Sequence, residues 1–191
     1  MIINTRKLIL SAMFLAIGII LPTVTMHIPG VGRMLLPMHI PVLLCGFICG
    51  APYGALVGFT LPLCNSILFG APPMMPVAIA MSIELLFYGL VSGLLYRKLG
   101  RYQLGVYFSL IPAMIVGRIA WGITSYLLFS ILGNAFTWMI FLTQAFVSAI
   151  PGIIIQFILI PAIVINLKKT NMEVYLDGKR DNKAYKRNIK K

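Results

Sequence analysis

From Leu36 to Arg97 the chain is a long apolar run in which His39 and Asn65 are the only strongly polar side chains before Glu84. Within it Gly46, Gly50, Gly54 and Gly58 fall at every fourth position. Glycines four apart share one face of a helix, and in a membrane such a face lets helix backbones approach closely. Ala51-Pro52-Tyr53 separates the first pair from the second. The run therefore predicts two short apolar helices, joined by a turn and packed inside a membrane.

Composition agrees. Of 191 residues, 60% are hydrophobic and 10% charged, with a mean hydropathy of +0.96. A soluble domain is about 45–50% apolar and about 25% charged. Most apolar side chains here must face lipid or one another, which defines an integral membrane protein of the lipid bilayer. The net charge of +12 does not indicate a nucleic-acid partner, because of where it lies. Arg6 and Lys7 precede the first apolar run, Arg97, Lys98 and Arg101 lie between runs, and nine basic residues follow from Lys168 onward.

In order, the chain reads as six helices. The first runs from Ile9 to Leu21, where Pro22 interrupts. No small-x-small cleavage site follows it, so it reads as a membrane helix rather than a signal peptide. Residues 23–35 form a loop with Pro29, Gly30, Gly32 and Arg33 as breakers. A second helix spans about Leu36 to Gly50, with Pro37 and Pro41 in its first turns, where proline is tolerated. Gly50-Ala51-Pro52-Tyr53-Gly54 is the expected turn, and a third helix runs from about Ala55 to Phe69. Both are shorter than the roughly 20 residues of a full span, so a re-entrant pair is the rival reading. The remaining helices are expected at about Met75–Tyr96, Leu104–Leu132 and Thr137–Leu167.

Six spans put both termini on one side. Fourteen basic residues then fall on that side and only Arg33 on the other, so the termini are expected in the cytoplasm. The fold class is an all-α, six-transmembrane-helix bundle over residues 1–167, with a basic cytoplasmic tail over 168–191. The tail reads as a solvated stop-transfer segment, with weak contact to anionic headgroups as the alternative.

Two charges, Glu84 and Arg118, lie inside apolar helices, where each needs a partner or a wet cavity. Two readings stay open: an ion pair fixing one helix against the next, or at least one charge facing a substrate cavity. In the noncytoplasmic half Arg33, His39, Asn65, Asn134, Trp138 and Gln144 can converge on an outward pocket. Trp121, one turn beyond Arg118, either lines a pocket or faces lipid. Asn65, Tyr88, Gln156 and similar side chains are each as well explained by interhelical hydrogen bonding. Cys45, Cys49 and Cys64 read as small buried thiols, and only His39 lies near enough to suggest a metal, which leaves too few ligands. No phosphate-binding loop, G-x-S-x-G or H-E-x-x-H motif occurs, so no enzyme and no cofactor is expected.

Leu36-Pro37-Met38-His39-Ile40-Pro41, the turn Gly50 to Ala55, Pro72-Pro73-Met74, and Glu84-Leu85-x-x-Tyr88-Gly89 through Tyr96-Arg97 carry a resemblance. They resemble the substrate-binding S components of energy-coupling-factor (ECF) vitamin transporters in bacterial plasma membranes. The resemblance implies a small-molecule substrate, a transmembrane coupling subunit and two separate ATPase subunits. It implies a pocket on the outer half, built largely from helices 4–6 and capped by the loop between helices 1 and 2. It also implies that Ala12 and Ala16, an alanine-x-x-x-alanine face on helix 1, contact the coupling subunit, helped by the glycine faces at Gly46, Gly50 and Gly54. The Pro-His-Pro stretch and the Pro72-Pro73 loop look most like pantothenate-type members; folate, riboflavin and pyridoxine-like ligands stay open. Two other classes compete: a stand-alone proton-coupled carrier using Glu84, and a scaffold that binds no small ligand.

Overall fold

The structure, a computed structural model, describes residues 5–25, 36–100, 104–133, 143 and 149–169. Six α-helices account for nearly all of them: α1 (Thr5–Thr25), α2 (His39–Cys49), α3 (Ala51–Phe69), α4 (Ile79–Leu99), α5 (Gly105–Ile131) and α6 (Ile150–Lys169). Arg33, Asn134, Trp138, Gln144 and the tail beyond Lys169 lie outside the described residues.

Among the described residues five helices are long and apolar enough to cross a membrane, with α4 counted from its lead-in at Met74. The exception is α2, with 11 residues. At 1.5 Å per residue it covers about 16 Å of a hydrocarbon core about 30 Å thick. The protein is thus a multi-pass, all-α membrane protein. Its outside is apolar, with Ile9 64%, Ile67 72% and Ile158 68% exposed, while polar His39, Asn65, Glu84 and Gln156 are buried. That inversion suits a lipid solvent.

Several boundaries differ from the sequence reading, each for a physical reason. The first helix does not stop at Pro22 but continues to Thr25. A proline deprives the carbonyl four residues earlier of its N–H partner. Here that carbonyl belongs to Gly18, and the Asn65 amide of α3 donates to it at 3.4 Å. The expected five-residue turn after α2 narrows to Gly50 alone, at φ 99°, whose N–H bonds the carbonyls of Gly46 and Cys45 at 3.1 and 3.3 Å. A positive φ is glycine's territory. Ala51 and Pro52 then open α3, where the missing proline N–H costs nothing. The second helix starts at His39 rather than Leu36, because Leu36 sits at φ 49° and only its carbonyl joins, accepting from the His39 N–H at 3.0 Å.

The centre of the bundle is α4, which packs against α2, α3 and α5; α1 lies on α2 and α3, and α6 on α2 and α5. The crossing of α2, α3 and α4 is glycine on glycine. A Cβ added at Gly54 would sit 2.7 Å from the Gly46 Cα and 2.8 Å from the Gly89 carbonyl oxygen. Gly46 and Gly54 are therefore used inside the bundle. The expected turn glycine Gly50 has nothing within 4 Å of an added Cβ. The small-residue face of α1 differs again, since Ala12 and Ala16 are both exposed on its outer side.

A buried charge cluster beside an apolar cavity

His39 opens α2, and Glu84 lies in the second turn of α4, so both sit toward the end of the bundle where α1 finishes and α2 begins. Arg118 is close to the middle of α5. Gly117 brings the α5 backbone in close: a Cβ there would lie 3.1 Å from the Glu84 carbonyl oxygen and 3.3 Å from the Tyr88 ring. The Arg118 side chain then meets Glu84, with Nη1 2.9 Å from Oε1. The same carboxylate oxygen has His39 Nε2 at 3.4 Å. His39 in turn stands edge-on to Tyr88, ring centroids 5.2 Å apart at 69°. Glu84 and His39 are each 1% exposed, Tyr88 0% and Arg118 8%.

Of the two readings of Glu84 and Arg118, the ion pair is present. The two do form an ion pair between α4 and α5, and in a buried setting such a pair holds only while both charges remain. Yet the pair does not satisfy the cluster. Arg118 Nε and Nη2, both ring nitrogens of His39, Glu84 Oε1 and the Tyr88 hydroxyl make no well-formed hydrogen bond among the described residues. Buried polar groups are normally satisfied, so a cluster of such atoms stands out.

A cavity lies next to the cluster. It measures about 190 Å³ and opens between α5 and α6, with Arg118 and Tyr88 on its inner wall. Its other walls are apolar: Ile111, Ile115 and Ile119 on α5, Ile153 and Phe157 on α6. Gln156, one residue from Phe157, is fully buried, and its amide oxygen and nitrogen are both unpartnered among the described residues.

Of the expected site residues, Glu84, Arg118 and His39 come together. Asn65 does not join them: its amide donates to Leu61 and Gly18 carbonyls, tying α3 to α1. Trp121 packs with Ala80, Met81 and Leu128, away from the cavity lining. Cys45 and Cys49 are free buried thiols on α2, and among the described residues no three His, Cys, Asp or Glu side chains gather as a metal site. Tyr88 emerges as an additional site group. A signal for Tyr88 was its place four residues after Glu84, on the same helix face.

A polytopic helical membrane protein that buries an incompletely satisfied polar cluster beside an apolar cavity is, by class, a membrane protein built to hold a small solute. The particular family is given by its sequence profile: the chain belongs to the ECF transporters' substrate-specific components, matched over residues 6–164. Neither a curated protein nor a solved structure matches the chain. Members of this family are binding subunits of transporters rather than enzymes.

Proposed function

We propose that the chain is the substrate-binding subunit of an ATP-driven ECF uptake transporter in a bacterial plasma membrane. It captures a small vitamin-like nutrient from outside and releases it inside through a coupling subunit powered by two ATPase subunits. The carrying observation is a cavity lined by Arg118 and Tyr88, with the Nε and Nη2 of Arg118 buried and unpartnered behind its apolar surface. Arg118 and Tyr88 are the direct ligand groups, and Glu84 and His39 hold Arg118 in place. Arg33, Asn134 and Gln144 complete or cap the site from the outer side. Pantothenate, with one carboxylate, is the substrate we favour.

The charge asymmetry supports cytoplasmic termini, with residues 168–191 as a basic cytoplasmic tail and α2 completing a sixth crossing in a locally shielded region. Docking on the coupling subunit is carried by Ala12 and Ala16, whose exposure leaves them open to another helix, and by the Gly50 turn. ATP-driven movement of that partner then tips the subunit and opens the site inward.

The test is Ala12→Trp combined with Ala16→Trp. Uptake in cells carrying the partner subunits should fall to background, while ligand binding by the purified solitary protein stays at the wild-type level. Unchanged uptake defeats the docking assignment. Gly50 is a poorer probe, because its φ of 99° strains any other residue whatever the partner does.

A further inference from the structure

We infer that the cavity between α5 and α6 selects a ligand with a single carboxylate and an uncharged, largely apolar body, the carboxylate seated on the Nε–Nη2 edge of Arg118. The inference rests on this cavity being the substrate site proposed above.

The argument begins with which edge of the guanidinium is free. Glu84 engages Nη1, at 2.9 Å, which leaves Nε and Nη2 unpartnered. Those two N–H groups point in parallel along one side of the plane, a geometry that matches the two oxygens of a carboxylate. A single ketone oxygen can bridge both N–H groups only through bent bonds and brings no charge to match the guanidinium. Tyr88 stands on the same wall, beside Arg118.

Charge narrows the class from both sides. Among the described residues Arg118 is the only charged side chain lining the cavity, so a dianion would leave its second charge against apolar walls. Glu84 is held by Arg118 and His39 and does not line the cavity, so it offers no carboxylate there to a cationic substrate. The ligand body faces Ile111, Ile115, Ile119, Ile153 and Phe157, none of which offers a polar side-chain atom. Arg118 thus bridges two carboxylates, a permanent one on Nη1 that orients it and a transient one on the opposite edge.

The experiment uses the full chain in lipid nanodiscs and matched acid and neutral probes: pantothenate with pantothenol, nicotinate with nicotinamide, biotin with biotinamide. Thiamine serves as a cationic probe. Binding is read by calorimetry and by thermal stabilisation. At least one acid should bind, and its neutral counterpart should bind about 10- to 100-fold more weakly, the range for losing a charge-assisted hydrogen bond. Arg118→Lys keeps a cation opposite Glu84 but removes the two-pronged edge, so the folded variant should lose that preference for acid over neutral partner. The neutral double variant Glu84→Gln with Arg118→Gln leaves no lone buried charge, and it too should bind acid and neutral probes alike.

A neutral probe or thiamine binding as tightly as every acid overturns the carboxylate assignment and leaves the uptake function standing. Binding of no acid at all also overturns it, as does an undiminished acid preference in Arg118→Lys. Ile153→Trp separates the two levels, since it fills the cavity. Continued uptake by that variant shows that the substrate sits elsewhere, and both the assignment and the site on which it rests then fall.

Discussion

At the scale of single residues, polarity inside the membrane has two different uses here. Asn65 and Arg118 are both polar side chains among apolar ones, yet the first is fully accounted for by the fold and the second is not. Asn65 donates to the Gly18 carbonyl, the group that Pro22 deprives of its helical partner. Replacing Asn65 by Leu should cost about 1 kcal/mol, the scale of an interhelical hydrogen bond in a membrane protein. In a Pro22→Ala background that cost should largely vanish, because alanine at that position restores an N–H four residues from Gly18. Thermal unfolding of the four proteins closes the cycle, and ligand affinity should not change in any of them. A full cost in the Pro22→Ala background sinks this account. The sequence alone could single out Asn65, His39, Glu84 and Arg118 as the polar anomalies of the apolar runs. It could not sort them, because the sorting depends on whether a neighbouring helix offers a partner. Gln156 and Tyr88 stood in sequence among many side chains suited to interhelical bonding, and only their unpartnered burial sets them apart.

The same ambiguity recurs at the scale of helices. Glycines spaced by four announce a close helix–helix contact but do not say whether the other helix belongs to the same chain. Gly46 and Gly54 meet Gly89 of α4, itself four residues before Gly93, so this contact is internal and complementary. Ala12 and Ala16 have the same spacing and are exposed instead. The first five helices were legible from apolar length, with errors at their ends; of the sixth, expected from Thr137, only Ile150–Lys169 lies within the described residues. There the outcome depends on single backbone angles, such as φ 49° at Leu36 and 99° at Gly50, which composition does not encode. The glycine crossing makes a sharp expectation. Gly54→Ala places a methyl 2.7 Å from the Gly46 Cα and 2.8 Å from the Gly89 carbonyl oxygen, both backbone atoms, so no flexible side chain can yield. The helices must separate, and overpacking of this kind costs about 1–3 kcal/mol. Gly58→Ala should behave alike, since its added Cβ would meet the Leu85 backbone. Ala16→Leu, on the exposed face of α1, should leave the thermal midpoint of the solitary protein unchanged. A neutral Gly54→Ala is the result that would contradict the crossing.

At the scale of the whole molecule, the question is whether the chain moves its solute alone. A proton-driven carrier needs a titrating group that water reaches from each side in turn. Glu84 is the one acidic side chain within the described membrane helices, and it is 1% exposed, with Arg118 and His39 both against the same oxygen. Removing its charge leaves Arg118 buried without its partner, a state costing about 3–5 kcal/mol in buried pairs. That energy opposes a transport cycle in which Glu84 is protonated at each turn. The chain also belongs to the substrate-specific components of ECF transporters, and the function proposed above takes its driving force from other subunits. The expectation follows for protein reconstituted alone in liposomes with a pH gradient. Labelled pantothenate should bind to the protein in proportion to its amount and should not accumulate in the lumen. Adding the coupling and ATPase subunits with ATP should start accumulation, with the pH gradient making no difference. Accumulation by the solitary protein, abolished by Glu84→Gln, would show instead that the buried pair opens in every cycle, and that Glu84 is a proton site rather than the anchor that orients Arg118.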